Sequence, residues 1–100
     1  MTQTEAFSLT RPEAGTLGLQ GSLSFATAAR ALRLIEAAVA AEQPQRLDLS
    51  PLRHGDSAGL ACLLAVQAEA MRKGHRLQVV HMPDGLRALA QLCEVEAFIL

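Results

Sequence analysis

The stretch that decides the fold runs from residue 46 to residue 73 and reads RLDLSPLRHGDSAGLACLLAVQAEAMRK. Its first residues alternate apolar and polar side chains up to Pro51, which is typical of a buried strand that a proline ends. An apolar helical pattern begins at once after Asp56 and Ser57, which are residue types that cap helix N-termini. The stretch therefore predicts a strand, a loop and a helix. The helix N-terminus presents a hydroxyl, a carboxylate and free backbone N–H groups, where a phosphate is favoured.

The composition restricts the classes of protein to which this chain can belong. One hundred residues, 50% of them apolar, are enough for one small domain with a core, and we expect residues 1–100 to form a single domain. Three aromatic residues and a net charge of −1 provide neither a stacking platform nor a basic surface, so we expect no nucleic-acid binding. No apolar run approaches the ~20 residues of a membrane helix, and the frayed-looking first six residues do not begin a signal peptide. We therefore expect a cytoplasmic protein without direct membrane insertion.

The residues before the central stretch predict a hairpin followed by a helix. Two alternating segments, 7–10 and 16–21, are separated by a turn at 11–15 that contains proline and glycine. A helix then runs from about Phe25 to Ala41, with Ser24 as its N-cap. Its apolar face is expected to consist of Phe25, Ala28, Leu32, Ile35 and Val39.

The residues after the loop predict two more helices and one more strand. The helix that begins at Ser57 ends just before Gly74, which is a typical residue after a helix C-terminus. A strand over 77–80 follows, and then a helix over 85–92 that Asp84 caps. The buried face of the helix at Ser57 is expected to consist of Leu60, Leu63, Leu64, Ala68 and Met71.

The resulting order of elements is β-β-α-β-α-β-α, and this order defines the fold class. Strand–helix–strand units imply parallel strands joined by right-handed crossovers, and the initial hairpin adds an antiparallel edge. We therefore expect an α/β fold with a mixed sheet of about four strands and helices packed mainly on one face. The apolar tail from Val95 to Leu100 either packs on the core or meets a partner.

The reactive residues form no catalytic or metal-binding pattern. Asp48 and Asp56 could pair as two carboxylates, but no catalytic base stands at a matching spacing. The three histidines are dispersed, and no glycine loop precedes a lysine as in a phosphate-binding loop. Cys62 and Cys93 lie in apolar helical patterns, so we expect both to be reduced core residues. We expect no metal, no cofactor and no enzymatic activity.

Taken with this order of elements, the central stretch resembles the STAS domain family. The resemblance is carried by Gly21–Ala28 (GSLSFATA), Leu47–Ser50 (LDLS) and Asp56–Leu60 (DSAGL), and it continues through Met82–Leu92 to Leu100. The family includes bacterial anti-sigma factor antagonists and the cytoplasmic tails of sulfate transporters. The resemblance implies a STAS-like fold and a regulatory role.

The last third of the chain looks most like the small STAS subunit of the Mla phospholipid ABC transporter. Leu77–Val80, Pro83 and Leu86–Leu92 carry this likeness. It implies a non-enzymatic accessory subunit that binds and regulates the ATPase subunit and lies peripheral to the inner membrane through that partner. In anti-sigma factor antagonists, the serine that matches Ser57 is phosphorylated by the anti-sigma kinase. The alternative function is therefore an antagonist that phosphorylation of Ser57 switches.

Both branches of the family place function on the same turn. The residues expected at this site are His54, Asp56, Ser57, Ala58 and Gly59, with Leu60 buried behind them. Ser57 is either a helix cap or a contact or phosphorylation site, and Asp56 either caps the helix or contacts a basic group of the partner. Antagonists usually carry two apolar residues where this chain has His54-Gly55. They often carry a second serine in place of Ala58, and its absence favours the transporter branch.

Overall fold

The computed structural model describes residues 6–100, which form a mixed sheet and a set of helices packed against it. The strands are β1 (Phe7–Glu13), β2 (Thr16–Leu23), β3 (Arg46–Asp48), β4 (Leu52–Gly55) and β5 (Gln78–Val80). The helices are α1 (Ala28–Glu42), α2 (Ser57–Arg72), α3 (Asp84–Leu92) and α4 (Glu96–Ile99). The α/β class with a mixed sheet is confirmed. The expected frayed start falls almost entirely on residues 1–5, which lie outside the described residues.

The sheet has the order β1-β2-β3-β5, and β4 pairs with β2 beyond the end of β3. The β1–β2 hairpin is antiparallel, and every other pair is parallel. Thr16–Gly18 of β2 pairs with β3, and Gly21–Leu23 pairs with β4, so β3 and β4 lie end to end along one side of β2. The parallel strands direct their carboxyl ends toward the same edge of the sheet, where α1, α2 and α3 begin.

The strand β4 raises the number of strands to five in the described residues, against about four predicted. The prediction placed these residues in a loop, between Pro51, which ends the strand before it, and the helix that opens at Asp56. Leu52 is buried, whereas the next two residues are exposed. β4 is therefore a strand because it pairs with β2. This pairing fixes the backbone at Gly55, the residue before Asp56.

Both strands of the hairpin are longer than predicted. β1 continues to Glu13, so the turn shrinks from residues 11–15 to Ala14 and Gly15, where the φ of 78° suits glycine. β2 continues to Leu23 rather than ending at Gly21 and Ser22, and it passes through Gly21 with a φ of 95°. The extra length of β2 carries it to the carboxyl edge of the sheet, whereas the extra length of β1 lies at the turn, where Glu13 pairs with Thr16.

The helix α1 begins at Ala28, three residues later than the start expected at Phe25. The backbone N–H groups of Thr27 and Ala28 donate to the carbonyl oxygen of Ser24 at 3.0 and 2.7 Å, which makes a turn before the helix. Phe25 lies in this turn and is exposed, so its placement in the apolar face was wrong. The buried residues of α1 are Ala31, Ile35 and Ala38.

The bounds predicted for α2 are confirmed, and its buried face is partly different. Ala68 and Met71 are exposed, whereas Val66, Gln67 and Ala70 are buried. A glutamine is tolerated there because backbone groups satisfy its amide. α2 packs against α1, α3 and α4, and it forms the centre of the helical side of the core.

The C-terminal part of the chain closes the core. α3 begins at Asp84 itself with Pro83 as its N-cap residue and no side-chain cap bond, so the cap predicted for Asp84 was wrong. The tail forms α4, whose Ile99 is fully buried, and it therefore packs on the core. Cys62 is buried as expected, whereas Cys93, directly after α3, is exposed, so its expected place in the core was wrong.

None of the helices in residues 6–100 combines the length and the hydropathy that a span across a bilayer requires.

Candidate functional site

The carboxylate of Asp56 organises the turn between β4 and α2. Asp56 is the N-cap of α2, and its Oδ1 accepts a hydrogen bond from the backbone N–H of Gly59 at 3.1 Å. Its Oδ2 accepts from the backbone N–H of Phe25, on the loop between β2 and α1, also at 3.1 Å. One side chain therefore caps the helix and holds two loops together at the carboxyl edge of the sheet.

The same hydrogen bonds keep Asp56 in its charged form. Partial burial raises the pKa of this carboxyl group, but the backbone N–H groups of Gly59, Phe25 and Ala58, with the nearby His54, lower it more. The resulting pKa lies below the ordinary value of 3.8. Asp56 is thus a negative structural group at neutral pH, which is the capping role that the sequence allowed.

Gly59 stands where α2 crosses the end of β2. A Cβ atom at this position would lie 2.9 Å from the carbonyl carbon of Leu23 and nearer still to its oxygen. The backbone N–H of Asp56 donates to that same oxygen at 3.3 Å. Gly59 and Leu60 are both buried, so they support the turn from behind.

The solvent side of the turn is formed by Ser57 and His54, which are exposed, and by the half-buried Ala58. Ser57 is the first residue of α2, at the positive end of the helix dipole. In the described part of the chain no carboxylate or imidazole hydrogen-bonds to its hydroxyl. Ser57 is therefore open to solvent at the N-terminus of α2.

Phe25 belongs to this site, and the sequence did not predict it there. Buried Ser24 and Thr27 flank it, and the Thr27 Oγ1 accepts from the backbone N–H of Ser24 at 2.9 Å. The same hydroxyl donates to the carbonyl oxygen of Ser22 at 2.8 Å. Two hydroxyl residues three positions apart are a signal for a turn closed by side chains, and this signal could have separated Phe25 from the helix.

Asp48 is engaged elsewhere, so the two carboxylates that could have paired have separate partners. Its Oδ1 accepts from the backbone N–H of Ser50 at 3.0 Å and lies 3.0 Å from the Nδ1 of His81. Burial raises the pKa of Asp48, and these two neighbours lower it more, so that it lies below 3.8. Among residues 6–100 no group of three or more His, Cys, Asp or Glu side chains could hold a metal ion.

The comparisons with known proteins give the family and the fold of the chain. A family model described as Mlab, STAS domain, matches residues 8–100. No curated protein matches the chain. The unphosphorylated anti-sigma factor antagonist SpoIIAA matches with a TM-score of 0.63 and 19% identity, over 87% of this chain and 83% of that one.

Two further solved structures are similar. The Bacillus cell fate determinant SpoIIAA in its phosphorylated form matches with a TM-score of 0.65 and 16% identity, over 95% of this chain and 89% of that one. Mglu matches with a TM-score of 0.57 and 18% identity, over 77% of this chain and 20% of that one.

The chain belongs to the STAS domain family, because the family model matches nearly its whole length. The structural matches show that the fold is that of SpoIIAA. The resemblance that the DSAGL turn and the order of elements predicted is therefore confirmed.

Proposed function

We propose that this chain is a non-enzymatic accessory STAS protein that binds and regulates the ATPase subunit of a phospholipid-transport ABC system. The observation that carries the proposal is the family match over residues 8–100, whose description names an Mla-type STAS domain. The exposed Ser57 on a hydrogen-bonded turn supports it. A turn that is already ordered loses little conformational entropy when a partner binds.

The contact is made by the solvent side of the turn. Ser57 and His54 face the ATPase, Ala58 lies at the edge of the contact, and Asp56 and Gly59 hold the turn in shape. Docking of this rigid turn stabilises the assembled state of the ATPase, because only that state presents the complementary surface. The chain performs no chemical step, and its partner places it on the cytoplasmic face of the inner membrane.

The test is co-purification of the ATPase subunit from the native cell with three forms of the chain: the wild type, Ser57→Ala and Ser57→Glu. We expect the wild type to capture the ATPase and Ser57→Ala to keep most of the binding. Ser57→Glu should lose the binding. The new carboxylate is repelled by Asp56, and the longer side chain adds bulk at the contact. Ser8→Glu, at an exposed serine of β1, is the matched control. Capture that Ser57→Glu leaves unchanged would contradict the proposal.

A second candidate is an anti-sigma factor antagonist that phosphorylation of Ser57 switches. The observation that favours it is an exposed serine at the start of α2 in a fold like that of SpoIIAA, which has been solved with and without its phosphate. Mass spectrometry of the chain from the native cell separates the two candidates. An anti-sigma kinase in the eluate with phosphate on Ser57 supports the second, and an ABC ATPase on an unphosphorylated chain supports the first.

A further inference from the structure

Thr27 stands at the N-cap position of α1, but its hydroxyl does not cap that helix. The Oγ1 atom accepts a hydrogen bond from the backbone N–H of Ser24 at 2.9 Å. It donates to the carbonyl oxygen of Ser22 at 2.8 Å, and the carbonyl oxygen of Ser24 is also within reach at 3.3 Å. Threonine is a common N-cap residue because its oxygen can accept from the first turn of the helix. In this chain the oxygen serves the loop before α1 instead.

This hydroxyl fixes the backbone of the loop at Ser24. Thr27 is 6% exposed, so water has little access to the hydroxyl. The N–H of Ser24 meets the hydroxyl, and the carbonyl oxygen of Ser24 accepts from the N–H groups of Thr27 and Ala28 at 3.0 and 2.7 Å. The peptide group that carries this carbonyl oxygen also carries the N–H of Phe25, and a peptide group is planar. The direction of the Phe25 N–H is therefore set together with the loop.

The N–H of Phe25 is the donor that engages the second oxygen of Asp56. It donates to the Oδ2 atom at 3.1 Å, while the Oδ1 atom accepts from the N–H of Gly59 at 3.1 Å. With both oxygens engaged, the carboxylate is held in one orientation directly before Ser57. Without the Phe25 donor the side chain gains rotational freedom, and a partner that docks on the turn has to order it again.

We propose that Thr27 is a positioning residue for the turn between β4 and α2, although it belongs to another loop. Its hydroxyl orients the peptide group between Ser24 and Phe25, and this peptide group presents the N–H that locks the carboxylate of Asp56. Thr27 is buried and acts through Asp56 rather than by touching a partner. Its effect on the turn needs no partner, and its effect on binding rests on the proposed function.

The first test compares two variants of the full chain. Thr27→Val has the shape of threonine without the hydroxyl, and Thr27→Ser keeps the hydroxyl. NMR titration of the side-chain carboxyl carbons measures the pKa of Asp56 in the folded chain. Partial burial raises this pKa, and the N–H groups of Gly59 and Phe25 are among the neighbours that lower it. Thr27→Val should therefore raise the pKa of Asp56, and Thr27→Ser should keep the wild-type value.

Two controls separate positioning from a general loss of stability. The pKa of Asp48, whose carboxylate bonds outside this loop, should be the same in every variant. Thr16→Val removes another buried threonine hydroxyl, one that has no hydrogen-bond partner within residues 6–100. Thr16 begins β2 and lies about 23 Å along the strand from Leu23. This variant should leave the pKa of Asp56 unchanged.

The second test measures the affinity of each purified chain for the purified ATPase subunit by titration calorimetry. Thr27→Val should weaken binding roughly three- to tenfold, as expected when one more side chain has to be ordered on docking. Thr27→Ser should restore the affinity to within about twofold of the wild type, and Thr16→Val should bind equally well.

The outcomes separate this inference from the function on which its binding effect rests. The inference is wrong if Thr27→Val leaves the pKa of Asp56 unchanged, or shifts that of Asp48 as much. It is also overturned if the pKa of Asp56 moves and Thr27→Val still binds the ATPase as the wild type does. If the pKa moves and the wild-type chain does not bind the ATPase, the proposed function fails and the positioning of the turn stands.

Hydrogen exchange of the wild type decides the matter if Thr27→Val does not fold. The amides of Ser24 and Phe25 should have similar protection, because one opening of the loop releases both hydrogen bonds. Protection of the Phe25 amide that is more than about tenfold lower than that of the Ser24 amide would overturn the inference.

Discussion

The carboxylate of Asp56 accepts a hydrogen bond from the backbone N–H of Phe25, which lies 31 residues earlier in the chain, at 3.1 Å. The same carboxylate caps α2 through the N–H of Gly59. The side chain therefore links the entry to α1 with the entry to α2. Any change at Asp56 acts on both loops of the candidate site at once.

Asp56→Ala should lower the free energy of unfolding by about 1–2 kcal/mol, because the helix loses its cap. The N–H of Phe25 loses its acceptor in the same variant. The free energy of unfolding of Asp56→Asn should lie between those of Asp56→Ala and the wild type. The single carbonyl oxygen of the asparagine can still accept a hydrogen bond from the N–H of Gly59. Urea denaturation followed by circular dichroism measures the difference. A wild-type midpoint for Asp56→Ala would contradict the capping geometry.

The stability of the fold should also decrease in acid because of Asp48 and Asp56. The pKa of each carboxyl group is lowered in the folded chain, so in acid the unfolded chain binds more protons than the native state. Their contribution is fully present above the ordinary pKa of 3.8 and is lost as the pH falls below it through the folded-state pKa. Urea midpoints measured from about pH 6 down to about pH 2.5 should show this fall. The urea midpoint should depend less on pH in an Asp48→Asn/Asp56→Asn double variant than in Asp84→Asn.

The turn at Asp56 could be predicted because its determinants are local. A capping carboxylate, a following serine and a glycine three residues later specify a helix N-terminus within a few positions. Leu60 also lies where the helical period places it, on the buried face. The resemblance to STAS domains depended in part on the same turn, together with the order of elements that had given the fold class.

Phe25 and β4 could not be predicted in the same way, because distant partners decide them. Phe25 fits the spacing of an apolar helix face, but the hydroxyl of Thr27, the carboxylate of Asp56 and the backbone bonds to the Ser24 carbonyl oxygen hold it in a turn. β4 has no strand pattern of its own and is ordered by pairing with Gly21–Leu23 of β2. Sequence periodicity describes one element at a time, and it misses what two elements impose on each other.

Gly59→Ala should be strongly destabilising, by about 1–3 kcal/mol or more. The new Cβ would meet the backbone carbonyl group of Leu23, so α2 would have to move away from the end of β2. Gly85→Ala is the matched control, because a Cβ at that helical position meets no atom within 4 Å, and alanine favours a helix over glycine. Thermal unfolding should place Gly59→Ala below the wild type and Gly85→Ala at or above it. A tolerated Gly59→Ala would show that α2 can shift without cost.

Gln67→Met should destabilise the chain by roughly 3 kcal/mol, because it leaves buried backbone groups without partners. The Gln67 side chain is 1% exposed, and its Nε2 donates to the carbonyl oxygens of Leu77 and Ile99 at 2.7 and 3.0 Å. Its Oε1 accepts from the N–H of Leu77 at 2.9 Å. Hydrogen exchange should show faster exchange in α4, which this amide ties to α2. Gln20→Met, at an exposed position of β2, should leave both the stability and the exchange unchanged.

The two cysteines should differ sharply in their reactivity toward a thiol reagent. Burial, together with the charge of Glu36, raises the pKa of the Cys62 thiol to about 11, so almost no thiolate forms at neutral pH and the reagent has no access. Cys93 is exposed at the end of α3. A maleimide at pH 7 should therefore modify the native chain once, and peptide mapping should locate the adduct at Cys93. Cys93→Ser should remain unlabelled until denaturant exposes Cys62. Rapid native labelling of Cys62 would mean that the packing between α1 and α2 opens far more often than their buried contacts imply.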